Sequence, residues 1–145
     1  MSPSEIRLEL LRQHAEIRVI AVEVKDAAAA NGYFALNTLR VRTLRLVDKV
    51  GRHNREEEEL LHGLRAVDAW DSVRADFMNE QHAAEHQHLW GALLDASLAP
   101  DVSSFREIFL PAIASLFEHM EREEKVCLSE DVLRDDAVVI DQSTG

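Results

Sequence analysis

The sequence predicts an all-α fold, an antiparallel up-down-up-down four-helix bundle followed by a short acidic C-terminal tail. Five glycines and three prolines in 145 residues leave few places where the chain can break. Over four long segments, apolar residues recur at spacings of three and four, which is typical of amphipathic helices. Hydrophobic residues make up 46% of the chain, enough to build one core. We expect the bundle to span residues 1–128 and the tail residues 129–145.

The first two predicted helices cover most of the N-terminal half. Ser2 and Glu5 form a capping box with a proline between them, so a helix should begin there and run to about Ala30. The second helix should run from about Phe34 to Arg65. Its expected buried stripe contains two residues of metal-ligand type among mostly apolar ones. The stripe reads Leu39, Thr43, Leu46, Val50, His53, Glu57, Leu60 and Leu64.

The other two predicted helices also begin at capping residues. Asp71 or Ser72 is expected to cap the third helix, which should run to about Leu98. A second capping box opens at Ser104 and predicts a fourth helix to about Leu128. Four helices with short connections account for nearly the whole chain.

Five of the seven histidines fall, with two glutamates, into one pattern on these four segments. The pattern is a lone H, then H-x-x-x-E, H-x-x-x-H and a second H-x-x-x-E, and a spacing of four places both members of a pair on one helix face. The residues are His14, His53, Glu57, His82, His86, His119 and Glu123. Imidazole with carboxylate suits iron, manganese or zinc better than calcium or magnesium. Seven donors are too many for one ion, so we expect two metal ions, and we expect iron.

The alternative is that these histidines are ordinary hydrogen-bonded core residues. Glu57 argues against it, because a carboxylate is rarely buried without a partner. His62 and His88 provide an internal control, since each lies about half a turn round its helix from the ligand face and should face solvent. Glu59 and Glu85 lie on the same polar faces as these two histidines. The two E-x-x-H sequences that they begin, which are typical of ferritin-like di-iron bundles, should therefore not build the site.

Composition limits the partners. The net charge of −11 argues against nucleic acid and against an anionic membrane surface. The single cysteine, Cys127, allows no intramolecular disulfide and is expected to pack as a small hydrophobe rather than bind metal. The sequence shows no apolar run long enough to span a membrane and no signal peptide at its start. We expect a cytoplasmic protein, monomeric or homodimeric.

The order H … H-x-x-x-E … H-x-x-x-H … H-x-x-x-E resembles the hemerythrin-like family, or HHE cation-binding domain, in its bacterial single-domain type. The likeness covers about residues 5–128 and extends to the surrounding sequences LRQHAEIR, HNREEEELLH and HMEREEKV. The resemblance implies an oxo- or hydroxo-bridged di-iron centre. It assigns His82, His86 and His119 to one iron, His14 and His53 to the other, and Glu57 and Glu123 to the bridge.

The resemblance also implies a small ligand. The more open iron would lie on the His14 and His53 side and would take dioxygen, nitric oxide or hydrogen peroxide. In the oxygen-carrying hemerythrins the last carboxylate is an aspartate five residues after its histidine, whereas Glu123 lies four after His119 and Glu124 lies five after it. Three roles therefore stay open: binding of the ligand, enzymatic decomposition of peroxide or nitric oxide, and sensing of redox state, oxygen or iron.

Overall fold

The computed structural model describes residues 1–30, 35–64 and 68–135. Within these residues all regular structure is helical, with five α-helices and no strand. The helices are α1 (Pro3–Ala29), α2 (Leu36–His62), α3 (Asp68–Phe77), α4 (Glu80–Ser97) and α5 (Val102–Val126). The all-α prediction is confirmed, but the described chain has five helices where four were expected. None of the five is long and apolar enough to cross a membrane.

The predicted capping box starts α1. The Ser2 hydroxyl accepts a hydrogen bond from the Glu5 backbone N–H at 3.2 Å, and the Glu5 carboxylate accepts one from the Ser2 backbone N–H at 2.7 Å. These bonds satisfy two backbone donors that a helix start leaves without partners. The expected limits of the second helix, Phe34 and Arg65, lie outside the described residues. Its described part begins at Leu36, and the predicted stripe is buried except at Leu60, which is half-buried while the neighbouring Leu61 is fully buried.

The prediction of one continuous third helix is wrong. The helix is interrupted at Met78 and Asn79, so this segment forms two helices. Asn79 caps the second of these, α4, by accepting a hydrogen bond from the His82 backbone N–H at 2.8 Å. Asparagine is among the best N-cap residues, which explains why a helix restarts here. Neither Asp71 nor Ser72 is a cap, because α3 has already begun before them.

The cap predicted for the last helix is also wrong. Asp101, not Ser104, is the N-cap of α5, and its carboxylate accepts a hydrogen bond from the Ser104 backbone N–H at 2.7 Å. The helix then continues through Pro111, whose side chain is exposed, and ends at Val126. The predicted end at about Leu128 differs by two residues, which is the usual uncertainty of a helix boundary.

The four long helices pack in a ring. α1 contacts α2 and α5, and α4 contacts the same two helices. They bury two apolar clusters. The first contains Ile17, Val50, Leu89, Phe105, Phe109, Leu116 and Met120 among others. The second contains Leu10, Leu61, Trp70, Phe77, Cys127 and Leu128 among others.

Along α1, α2 and α5, a short polar stretch separates residues of the first cluster from residues of the second. On α1, His14 lies between Leu10 and Ile17. On α2, His53 and Glu57 lie between a residue of the first cluster and one of the second, and the same order holds on α5. The fold therefore holds a layer of buried histidines and glutamates, hereafter the polar layer, between two apolar clusters.

The region expected to be a tail packs on the bundle in its first part. Val132 and Leu133 are buried in the second cluster. The Ser4 hydroxyl and backbone N–H both donate to the Asp135 carboxylate, at 2.6 and 2.9 Å. The part of the chain that packs on the bundle therefore includes residues up to 135, and residues 136–145 lie outside the described residues.

Candidate metal centre

The seven predicted ligand residues converge in the polar layer from α1, α2, α4 and α5. The imidazole Nε2 atoms point inward. His14 Nε2 lies 3.1 Å from His53 Nε2, and His86 Nε2 lies 2.9 Å from His119 Nε2. His82 Nε2 lies 3.3 Å from a carboxylate oxygen of the same layer. The spacing of four between paired residues thus correctly predicted which helix faces meet in the polar layer.

Their donor atoms form two groups of four, each of which could hold a metal ion. Within a group, all four donor atoms lie within 4.8 Å of one another. The groups are His14, His53, Glu57 and Glu123, and His82, His86, His119 and Glu123. One glutamate is common to both, so the two positions are adjacent.

Both glutamates face both groups of histidines. Glu57 has Oε2 at 3.2 Å from His53 Nε2 and Oε1 at 3.7 Å from His86 Nε2. Glu123 has Oε1 at 3.2 Å from His119 Nε2 and at 3.5 Å from His14 Nε2. A carboxylate with donors of both groups around it is placed to contact two ions.

The two buried carboxylates are driven to different charge states. Burial, and then the charge of Glu123, raise the pKa of Glu57 well above its ordinary value. Burial would raise the pKa of Glu123 too, but hydrogen bonds from His119 and three other histidines hold it well below the ordinary value. Without a cation, Glu57 therefore holds a proton more strongly than Glu123 does. Even so, Glu57 Oε2 has no hydrogen bond of acceptable geometry in the described part of the chain.

The histidines are also shifted. Burial lowers the pKa of His53 to about 3 and lowers that of His86 as well. Burial would lower the pKa of His119, but hydrogen bonds to Glu123 and Glu85 raise it. Neutral imidazole is the form that binds metal, so His53 and His86 are in that form at neutral pH.

A second layer of polar side chains holds the outer Nδ1 atoms of three of these histidines. His14 Nδ1 donates to Glu124 at 2.8 Å and His119 Nδ1 donates to Glu85 at 2.8 Å. His53 Nδ1 donates to the side-chain oxygen of Gln13 at 2.6 Å. A proton fixed on Nδ1 leaves the Nε2 lone pair free to face the centre, which is how such contacts orient metal-binding histidines.

Two of these outer contacts are themselves held by arginines. Arg18 pairs with Glu124 at 2.8 Å, and Arg122 pairs with Glu85. Glu85 was not among the predicted site residues, because helical spacing places it on a polar face of α4 and does not show which neighbouring helix lies beside that face. The long side chain reaches across from α4 to His119 on α5.

The control residues behave as predicted. His62, His88 and Glu59 are exposed, so the ferritin-like E-x-x-H readings do not build a buried site. Cys127 is buried in the second cluster, and its Sγ donates to the Glu123 carbonyl at 3.4 Å. Burial raises the pKa of this thiol, which keeps it protonated and suits a packing role.

Comparisons of the chain with protein-family models, with curated proteins and with solved structures found no match. The hemerythrin-like family therefore stays a prediction that rests on the motif and on the residues that carry it. What the structure establishes is an all-helical fold with buried histidine and glutamate groups that could hold metal ions.

Proposed function

We propose that this chain is a non-heme di-iron protein of the hemerythrin-like kind, which binds dioxygen, nitric oxide or hydrogen peroxide at an open position of the metal pair. One observation carries the proposal: two four-donor groups share a glutamate, and they draw their donors from four helices in the order of the motif. In this proposal the four long helices run up-down-up-down, and α3 belongs to the connection between α2 and α4.

The charge of the polar layer supports bound cations. Glu57 and Glu123 are 1% and 3% exposed, and every ion pair described for them is with a histidine. His53, whose Nε2 lies 3.2 Å from Glu57 Oε2, has a pKa of about 3 and carries no charge at neutral pH. Because a buried carboxylate is costly unless a positive charge lies close by, divalent ions are the natural partners of this pair.

The donor set supports iron. Mixed imidazole and carboxylate ligation suits iron, manganese or zinc, and of these the family resemblance implies iron. An iron pair, when bound, supplies electrons and a coordination position to a small ligand. His14 and His53 would hold one ion, His82, His86 and His119 the other, and Glu57 and Glu123 would lie between them. The chain's contribution is to hold each imidazole with Nε2 inward and to bury the layer between two apolar clusters, which limits its contact with water.

Metal analysis of the purified full chain, expressed with iron, tests the proposal. We expect about two irons per chain, with the absorption of an oxo- or hydroxo-bridged di-ferric centre in air. His53→Ala should lose metal, whereas His62→Ala, on the exposed face of the same helix, should keep it. No more than one ion per chain in the wild type would overturn the proposal. Steady consumption of hydrogen peroxide or nitric oxide, rather than reversible binding, would assign the enzymatic alternative.

A further inference from the structure

The two halves of the candidate metal centre differ in their access to solvent. The side chains of His14 and His53 are 0% and 5% exposed, whereas those of His82 and His86 are 15% and 14% exposed. The half with fewer histidines, which the family resemblance implies is more open to ligand, is thus the more deeply buried half.

We propose that hydrated divalent cations reach and leave the centre from the His82 and His86 side, through an opening at the break between α3 and α4. This opening is defined by Met78, Asn79, Gln81 and Ala83. The inference rests on the proposed function, because it concerns the route by which the same site is loaded.

Ala83 and His86 line a cavity between α2 and α4. Two further cavities lead from the opening to metal-ligand residues, and Asn79 and His82 line both of these. The larger, of about 270 Å³, reaches His119 and Glu123. The smaller, of about 90 Å³, reaches Glu57. About 10–15 Å³ of free volume is enough for a cavity to hold one water molecule. Both can therefore hold several waters, and the larger has room for an ion with part of its hydration shell.

The lining of the larger cavity suits a cation. Asn79, Gln81 and Glu85 offer amide and carboxylate oxygens on the way to Glu123. The one arginine that lines it, Arg122, is paired with Glu85. An ion would therefore pass along oxygen donors and meet no unpaired positive charge among these lining residues.

The opposite side is closed by a hydrogen-bonded residue. A cavity of about 100 Å³ between α1 and α2 reaches Gln13 and His53. Gln13 binds the outer Nδ1 of His53 at 2.6 Å and donates to Glu56 at 2.5 Å. An ion coming from this side meets the outer edge of the imidazole, and it could reach Nε2 only after both hydrogen bonds were broken.

The break in the chain accounts for the opening. His82 lies in the first turn of α4, whose N-cap is Asn79. In an unbroken helix, the residue one turn earlier would pack against His82 on the same face and cover it. At the break, Phe77 of α3 packs against one face of the His82 ring, with the ring centroids 4.2 Å apart, but the His82 side chain stays 15% exposed.

The test is the rate at which a ferrous chelator removes iron(II) from the loaded full chain. Ala83 lines the smaller cavity, whereas Ala84 beside it and Ala15 on the α1–α2 side do not, and all three are exposed. Gln81 is also exposed and lines the larger cavity. We expect Gln81→Trp, which narrows the larger cavity, and Ala83→Trp, which narrows the smaller one, to slow release severalfold when combined, and Gln81→Trp to have the greater effect alone. Ala84→Trp and Ala15→Trp should release iron at the wild-type rate. If the double variant does not fold, Gln81→Trp alone decides the test.

The metal content of the variants distinguishes failure of the proposed route from failure of the proposed function. Two irons per chain in every variant, with equal release rates, would overturn the route but leave the proposed function intact. Slowing by Ala15→Trp alone would assign the opposite side and also overturn the route. A wild-type chain that holds no iron would overturn the proposed function, and the route with it.

Discussion

Replacing Glu57 by leucine should separate the stability of the metal-free fold from metal binding. Glu57 is 1% exposed and lies on α2 between Val50 of the first apolar cluster and Leu61 of the second. Its pKa is raised by burial and by the charge of Glu123, and its Oε2 has no hydrogen bond in the described chain. Without metal, this side chain therefore costs stability, and leucine would fill the same place with no polar atom.

The size of the effect follows from the missing hydrogen bond. A buried polar group without a partner costs about 1–3 kcal/mol. Against this gain, the substitution removes the carboxyl group that lies 3.2 Å from His53 Nε2, and His14 Nε2, at 3.1 Å, cannot replace it because the proton of His14 is on Nδ1. We expect the metal-free variant to be as stable as the metal-free wild type, or more stable by up to about 2 kcal/mol, which corresponds to roughly 4–8 °C in Tm for a domain of this size.

Thermal melts of both metal-free proteins, followed by iron titration, provide the assay. Glu57→Leu should bind at most one iron, because a carboxylate shared by the two positions is gone. Glu59→Leu, on the exposed face of the same helix, is the matched control and should bind like wild type. The reasoning is refuted if the metal-free variant melts far below wild type, since Glu57 would then have a structural hydrogen-bonding role. Retention of two irons would show that Glu57 does not lie between them.

Four further substitutions test the face assignments, the second layer and one buried hydroxyl. His62→Ala and His88→Ala should keep the metal and change stability by no more than about 0.5 kcal/mol; iron loss in either, as severe as in His53→Ala, would show that the helix faces are misassigned. Glu85→Ala should leave the melt of the metal-free protein nearly unchanged but weaken metal binding about 10–100-fold in competition with a chelator, and unchanged affinity would exclude a positioning role. Thr43→Val should raise the free energy of unfolding by about 1 kcal/mol, because the buried Thr43 hydroxyl has no partner in the described chain; a lower melting temperature would show that the hydroxyl is satisfied.

The faces of the helices could be predicted because each rests on local spacing. His53 and Glu57 share a stripe with Leu46 and Val50, and a period of 3.6 fixes their common direction whatever the neighbouring helices do. The capping box at the start of α1 is equally local, since its two hydrogen bonds join residues three apart. All seven candidate ligands were found in this way.

The break before α4 could not be predicted from spacing alone. The apolar pattern continues across it, and the cost of one asparagine inside a helix is small. Tertiary packing determines where the helix is interrupted, because Trp70 and Phe77 of α3 are buried in the second cluster, where their ring centroids lie 6.1 Å apart. Asn79 then serves as a cap. The contact of Glu85 with His119 could not be predicted for a related reason. Periodicity shows on which face of its helix a residue lies, but it does not show which residues of a neighbouring helix a long side chain reaches.

Gly51 shows the same limit at a single position. In the sequence it is an unfavourable residue inside a helix, with a cost of about 1 kcal/mol relative to alanine. A Cβ at this position would lie 3.1 Å from Nε1 of Trp90 on α4, so glycine allows the indole to approach α2 closely. The neighbour is a side chain rather than a backbone, and only the packed structure identifies it.

The placement of the polar layer explains how such a costly group of residues is compatible with a folded chain. Each side of the layer has its own apolar cluster with fully buried aromatic rings, Phe105 and Phe109 on one side and Trp70 on the other. These clusters hold α1, α2 and α5 at fixed separations whether or not the carboxylates between them are neutralised. Ions that bind only the folded form add their binding free energy to its stability. The metal-free chain should therefore fold with its histidines already gathered, and metal should raise its melting temperature without changing its helix content.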